Sequence, residues 1–324
     1  KDALKKPRKD GIKLIVITGD YAETARSVLR ELELDVAEKD IILGEDLERL
    51  SGRELEKRIF RDEGSIKLFA RTRPHQKLKI VETLKAHGEV VAMMGDGVND
   101  APALSRADIG VVVGEARDVA KESADLVLLD SSFSTIVAAI EEGRGLFDNL
   151  RKIILYLMID AFEGILVVLS SIILRLPLPI TAIHILWINL LSDGFPHLAL
   201  TVDPKAPGLM ERGPRSPKEP LITGWMSWLI AIVSLSGWVF ALGSFIYVLR
   251  TTGDLTMARS VAFATIGVNS LIYVFSVRTL TDPFWNADPL ENKWLLLAVG
   301  VGLVFQVFPF ATEATRAFFK ITSI

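Results

Sequence analysis

Cysteine is absent from the 324 residues, which excludes disulfides, thiolate catalysis and Cys-ligated metal. An excess of positive charge is missing too. The formal net charge is −3, so no global basic field marks a nucleic-acid partner. No signal peptide is expected to open the chain, because Lys1–Gly11 is charged and lacks an apolar core. No GxxxxGK[ST] segment occurs, and Asp100 stands where the third glycine of GxGxxG would fall, so neither a P-loop nor a dinucleotide fingerprint is present. The four histidines, His75, His87, His184 and His197, have no metal-ligand spacing and read as structural. Internal repeats and low-complexity tracts are also missing. With 50% of residues hydrophobic, disorder is excluded. Charge is scarce in one half only. Residues 1–152 carry 55 charged side chains and residues 153–324 only 22. A soluble region followed by a membrane region accounts for that asymmetry.

The second half holds five stretches free of Asp, Glu, Lys and Arg: Gly164–Leu174, Leu176–Ser192, Pro220–Leu249, Ser260–Val277 and Trp294–Thr312. A helix needs roughly 20 apolar residues to cross the hydrocarbon core. Five spans are therefore expected, at about 153–174, 180–200, 224–249, 259–277 and 294–312. Pro177 and Pro179 turn the chain between the first two. The loop 203–222, with Lys205, Arg212, Arg215 and Lys218, reads as cytoplasmic, and the short loop 250–258 as lying opposite. Trp225, Trp228, Trp285 and Trp294 fall near span ends, where aromatic belts form.

The first half alternates short apolar runs with helical patterns. Strands are expected at Lys13–Ile17, Ile66–Ala70, Val90–Met94, Ile109–Val113 and Leu126–Leu129. Helices are expected at about 22–34, 46–60, 75–87, 101–106 and 116–122. Continuous apolar strands between helices argue for a parallel sheet covered on both faces, with ligands at the carboxyl ends of its strands. From about Ser134 a helical pattern runs without a Gly–Pro break into the first span. It reads as one helix of about 40 residues, or as two meeting near Gly143 and Gly145.

Three segments sit where such a sheet places ligands: Thr18-Gly19-Asp20, the stretch Phe69–Lys77, and Gly95-Asp96-Gly97-Val98-Asn99-Asp100. Each supplies a group that phosphoryl transfer uses. A hydroxyl and backbone N–H groups hold phosphate oxygens, a lysine neutralises developing charge, and paired carboxylates hold Mg²⁺. Taken singly, each reads as an ordinary turn or a solvated lysine. In this order on successive strands they read as one site.

Here a resemblance becomes specific. Met94–Leu104, with the sequence MGDGVNDAPAL, resembles the hinge signature of P-type cation-transporting ATPases, and Thr18-Gly19-Asp20 resembles their TGD segment. Pro214–Ile222 and Leu186–Gly194 are similar to the loop and the sixth transmembrane helix of the calcium-pump branch, which includes the sarcoplasmic reticulum and bacterial calcium ATPases. The resemblance implies a partial haloacid-dehalogenase-like α/β phosphorylation domain over 1–150, cytoplasmic, with a parallel sheet. An all-α, multi-pass transmembrane domain over 151–324 follows, its spans corresponding to the family's fifth to ninth. It implies an ATP-hydrolysing cation translocase using ATP and Mg²⁺, with Ca²⁺ as cargo. Asp96 then corresponds to the Mg²⁺ ligand, Asp100 to its neighbour in that site, and Lys77 to the lysine that contacts the phosphoryl group. Thr18, Gly19, Asp20, Arg71 and Asn99 correspond to residues lining the nucleotide and phosphate region. The family's nucleophile lies in a DKTGT segment, which this sequence does not contain. The chain therefore reads as a C-terminal fragment, inactive by itself, whose partners are the cation, the bilayer and the N-terminal portion of the same pump.

Asp160, Glu163, Asn189, Ser192 and Asp193 are the notable polar residues inside the expected first two spans. Intramembrane carboxylates cost a few kcal/mol or more, so they face a cavity or a partner. Asp160 and Glu163 share a face at i, i+3, and Asn189 and Asp193 at i, i+4 with Ser192 beside them. Five oxygen-bearing groups facing one another suit a hard cation. Protonated carboxyls merely bonded between helices are the plain alternative. The calcium pumps' Asn and Glu of the first of these spans fall, without gaps, on Ala161 and Gly164, one residue past Asp160 and Glu163. Their acidic residue of the eighth helix is replaced by Gly267. Pumping of H⁺, Na⁺, K⁺ or Mn²⁺ therefore stays open beside Ca²⁺. So do a membrane-tethered haloacid-dehalogenase-type phosphohydrolase and a noncatalytic scaffold.

Overall fold

The computed structural model describes residues 12–60, 66–96, 98–130, 132–278, 288 and 290–323. The chain divides into two compact units, Lys1–Glu142 with Gly208–Pro217, and Gly143–Pro207 with Lys218–Ile324.

Among the described residues the first unit holds six strands in two parallel three-stranded sheets. One has the order β1 (Val16–Ile17), β3 (Leu68–Ala70), β2 (Ile41–Leu43), and the other β4 (Ala92–Gly95), β5 (Ile109–Val113), β6 (Leu126–Leu128). Central β3 is buried along its whole length, which is why it reads as an unbroken apolar run. β2 escapes the sequence pattern because three apolar residues between Asp40 and Gly44 are too few to show a period. The helical stretch 46–60 proves to be two helices, α2 (Gly44–Arg49) and α3 (Gly52–Ile59), preceded by α1 (Ala22–Glu31). Ser51 restarts the helix with a capping box: its backbone N–H donates to Glu54 Oε2 at 2.8 Å, and its Oγ accepts from Glu54 N. Helices α4 (Pro74–Ala86), α5 (Ala101–Arg106) and α6 (Asp118–Glu122) complete the layer. Ile80 of α4 packs with Ile42, Leu55 and Phe69, while its neighbour Val81 packs with Met93, Leu104 and Val112. Ile17 and Val91 join both clusters, so the two sheets share one core. Asp108 fixes the turn into β5. Its carboxyl is held below the usual carboxylate range, first by the backbone N–H of Val91 at 2.9 Å and then by Lys85.

Helix α7 (Phe133–Ile173) runs unbroken for 41 residues, about 60 Å at 1.5 Å per residue. Neither Gly143 nor Gly145 interrupts it. The other elements are α8 (Ala182–Trp187), α9 (Gly194–Thr201), α10 (Gly224–Thr252), α11 (Leu255–Tyr273), α12 (Lys293–Ala311) and α13 (Glu313–Phe319). Among the described residues four helices are long and apolar enough to cross a bilayer: Ser134–Ile173, α10, α11 and α12. The protein is a multi-pass membrane protein. The segment expected to span at 180–200 is no single rod. α8 and α9 are joined by a π-helical turn at Ile188–Ser192, where Asp193 N donates to Ile188 O at 2.9 Å, five residues back. Gly253, with φ +71°, stops α10, and Asp254 caps α11 by accepting from Thr256 N and Met257 N. Trp225, Trp228 and Trp294 are exposed near helix ends, while Trp285 lies outside the described residues.

Two apolar clusters fill the helical unit, one around Leu155, Tyr156, Met226 and Val274, the other around Val167, Phe245, Phe263 and Phe319. Small residues at the contacts, among them Ser234, Gly237, Ala241, Ala258 and Ala262, let the backbones approach. A buried ionic knot ties the middle of α7 to residues near the ends of α9, α11 and α12. Asp203 accepts from Lys152 Nζ at 2.6 Å, Asn292 Nδ2 at 2.7 Å and Arg278 Nε at 3.0 Å, and Asn149 Nδ2 donates to the Asp203 carbonyl at 2.9 Å.

Candidate functional site

The first candidate site lies at the carboxyl ends of β1, β3 and β4. β1 delivers Thr18-Gly19-Asp20, a tight turn in which Thr18 Oγ1 accepts from Asp20 N at 3.1 Å and donates to Asp20 Oδ2 at 3.0 Å. β3 delivers Arg71 and Thr72, which bind that turn. Arg71 N donates to Asp20 O at 2.9 Å, and Thr72 N and Oγ1 both donate to Thr18 O. Arg71 takes φ +55°, a left-handed conformation costing about 1–3 kcal/mol for a residue with a side chain. Two features hold it there. Gly44 has no Cβ to strike the Arg71 carbonyl, and the Arg71 guanidinium lies 4.4 Å from the Tyr21 ring centroid.

Pro74 then opens α4, with Arg73 N bound to Gln76 Oε1 at 2.9 Å. One turn in, Lys77 Nζ reaches Asp100 Oδ1 at 2.6 Å, and both side chains are largely buried. β4 ends at Gly95, where any Cβ would meet the Asp100 side chain at 2.6–2.9 Å. A glycine is what lets Asp100 lie against the strand end. Asp96 and Asn99 are exposed beside it, and the Asp96 carboxylate makes no hydrogen bond to another described residue. The structure thus links Thr18–Asp20 to Arg71 and Thr72, and Lys77 to Asp100, along one continuous segment. An exposed, uncommitted carboxylate next to a second one suits Mg²⁺, which takes few protein ligands and keeps waters and phosphate oxygens. Gly95→Ala should cost about 1–3 kcal/mol of head stability by overpacking and pull Asp100 from Lys77. Urea denaturation combined with Mg²⁺ titration reads both, and unchanged values in both would remove Gly95 from this role.

The second candidate site lies within the helical unit. Tyr156, Asp160 and Glu163 form one stripe of α7, and Asn269, Ser270 and Tyr273 form the facing stripe of α11. The bonds run across in register. Tyr273 Oη donates to Asp160 Oδ1, and Asn269 Nδ2 donates to Glu163 Oε2 at 3.0 Å. Asp193, at the start of α9, accepts on Oδ1 from Ser270 Oγ at 2.6 Å and Tyr156 Oη at 3.2 Å. Glu163 and Asp193 are 2% and 0% exposed. Glu163 Oε1 and Asp193 Oδ2 are buried without any hydrogen-bond partner. A buried carboxylate oxygen left bare costs free energy until a proton or a cation meets it. Gly237 makes room for the Glu163 carboxylate, since a Cβ there would overlap Glu163 Oε2.

Of the five polar residues expected to face one another, Asn189 does not. Its side chain is exposed and forms no hydrogen bond to another described residue. The π turn is the reason: one extra residue per turn breaks the i, i+4 alignment of Asn189 with Asp193. Ser192 is fully buried but turns toward α12, donating to Gln306 Oε1 at 3.0 Å. Among the described residues no three His, Asp or Glu side chains converge as a metal-holding group, because each carboxylate is spread onto its own donor. The sequence reading missed Tyr156, Asn269, Ser270, Tyr273 and Gln306. Polar residues at positions 269, 270 and 273 on one face of an apolar helix were the signal that pointed to three of them. Of the histidines, His75 and His87 pair with Glu48 and Glu56, His184 bonds Phe319 O, and His197 Nδ1 bonds Asp193 O while its Nε2 is buried without a partner.

Comparison with known proteins matches both regions. Residues 177–324 fit the family "Cation transporting ATPase, C-terminus", and residues 1–108 fit "haloacid dehalogenase-like hydrolase". The chain is 42% identical over 301 residues to a calcium-transporting ATPase of Bacillus subtilis, covering 92% of this chain and 33% of the relative. It is 40% identical over 306 residues to a probable cation-transporting ATPase F of Mycobacterium tuberculosis, covering 91% and 33%. An endoplasmic reticulum calcium ATPase of Aspergillus fumigatus is 41% identical over 229 residues, covering 69% and 23%. The chain thus spans about a third of the length of the Bacillus subtilis and Mycobacterium tuberculosis relatives.

Proposed function

The chain belongs to the cation-transporting ATPases, and we propose that it is the C-terminal part of an ATP-driven pump that forms an aspartyl-phosphate and carries Ca²⁺. The observation that carries this reading is the pair of bare, buried oxygens, Glu163 Oε1 and Asp193 Oδ2, on facing elements of a membrane unit. Asp160, Glu163, Ser192 and Asp193 supply hard oxygen donors to the cargo. Asn189 has no part in the arrangement seen. On the cytoplasmic head, Asp96 and Asp100 would hold Mg²⁺, which supplies charge neutralisation at phosphate oxygens when bound. Lys77 lies beside them to meet the same charge. The turn Thr18–Asp20 and Arg71 line the strand ends where the nucleotide and phosphate would lie, with the Arg71 guanidinium as a charged donor to their oxygens.

Substituting this chain for the matching third of the Bacillus subtilis relative and reconstituting the chimera in lipid vesicles tests the reading. The expected result is ATP-driven, Mg²⁺-dependent Ca²⁺ uptake. Uptake of another cation in place of Ca²⁺, or phosphatase activity without uptake, would overturn it. By itself the 324-residue chain is expected to show no cation-stimulated ATP hydrolysis, because its sequence contains no DKTGT segment to supply the attacking carboxylate. Phosphate release from ATP at graded Ca²⁺ measures this, and turnover by the purified chain would overturn that part.

A further inference from the structure

Ser192 stands apart from the other polar groups of the membrane site, since its one hydrogen bond goes to a helix that carries none of the carboxylates. Its Oγ donates to Gln306 Oε1 on α12 at 3.0 Å, across 114 residues of sequence. Gln306 has no freedom to turn its amide round. Its Nε2 donates to the Phe263 carbonyl at 3.0 Å, so the Oε1 edge must face Ser192. The carboxamide is 2% exposed.

Two glycines shape this contact. A Cβ on Gly267 of α11 would overlap the Gln306 carboxamide, and a Cβ on Gly302 of α12 would lie 2.6 Å from the Ser192 carbonyl. Gly302 and Gln306 are i, i+4 and share a face. α12 therefore docks its backbone and one polar side chain directly on the π turn that precedes Asp193. A packing contact alone would not need a carboxamide there, and a buried amide is costly unless both of its ends are bonded.

The consequence falls on the serine proton. A hydroxyl that ligates a cation must turn a lone pair toward it and send its hydrogen elsewhere. Gln306 takes that hydrogen, which leaves the Ser192 lone pairs free on the turn that carries the bare Asp193 Oδ2. Without this acceptor the hydroxyl would turn its proton to a carbonyl of its own helix, as serines in helices do. Outer partners of this kind orient a ligand and set its affinity.

We propose that Gln306 is a positioning residue for cation binding, acting through Ser192. This rests on the cation-pump reading above. The test uses the full 324-residue chain in lipid nanodiscs and equilibrium dialysis against CaCl₂ alone. Gln306→Leu, close in volume but unable to accept, should weaken Ca²⁺ binding about 10–100-fold. Ser192→Ala should weaken it as much, and the double variant should be no weaker than Ser192→Ala. Should Gln306→Leu not fold, Gln306→Asn, which withdraws the acceptor by one methylene, should give the same loss.

An unchanged Kd in Gln306→Leu or Gln306→Asn overturns the proposal. So does a double variant whose losses multiply, since that marks a general packing role. The two readings fail separately. If Asp193→Asn abolishes binding while the Gln306 variants bind as before, only the Gln306 role falls. If Asp193→Asn binds normally, or the unsubstituted chain binds no Ca²⁺ saturably, the cation reading falls and takes the Gln306 role with it.

Discussion

Asp193→Asn is expected to abolish saturable Ca²⁺ binding by the chain, and cation-dependent phosphorylation in any pump built from it. The substitution keeps the volume and one acceptor oxygen. The asparagine Oδ1 still receives Ser270 Oγ and Tyr156 Oη, so the packing of α7, α9 and α11 has no reason to change. What changes is the other edge. Oδ2 now has no partner, and an NH₂ in its place presents hydrogens where a cation needs lone pairs. The loss should exceed the roughly 10–100-fold that follows removal of an outer partner, because a ligand is removed outright. Thermal denaturation of the variant should match the unsubstituted chain. Normal Ca²⁺ binding with normal folding would remove Asp193 from the site.

The largest expected effect on stability belongs to Asp203. Three donors, two of them cationic, converge on its carboxylate, and all are buried. Removing the one anion, as in Asp203→Ala, leaves Lys152 and Arg278 buried without their counter-charge. Breaking a buried pair in this way costs about 3–5 kcal/mol, because the stranded charge has neither water nor partner. Glu291 relieves Arg278 only in part, at 3.5 Å from an exposed position. Lys152→Met should cost less, since Asp203 keeps Arg278 and Asn292. Denaturation in one detergent for both variants gives the order, and an Asp203→Ala change under about 1 kcal/mol would refute the knot as a stabilising element.

Much of the fold was legible because it is local. The strand Ile109–Val113 and the helix Ala101–Arg106 appear at the bounds their apolar runs and flanking residues indicate. The long helix α7 follows from the lack of any breaker after Ser134. In the head, Thr18-Gly19-Asp20 and the start of the Gly95–Asp100 loop sit at strand ends, so the order of segments alone brought the candidate site into view. β2 and the break at Ser51 were hidden, because three apolar residues carry no measurable period and one serine cap outweighed a continuous helical pattern.

The membrane site shows where that legibility ends. Composition and spacing determined that carboxylates lie inside apolar helices, and the cost of burying charge determined that they must meet something. Which group each one meets was decided only by tertiary packing. Glu163 and Asn269 are 106 residues apart, Ser192 and Gln306 114, and no periodicity within one helix encodes a contact between two. The π turn at Ile188–Ser192 belongs to the same class. It turns Asn189 away from Asp193 through a backbone shift that pattern reading, which assumes 3.6 residues per turn, has no means to register.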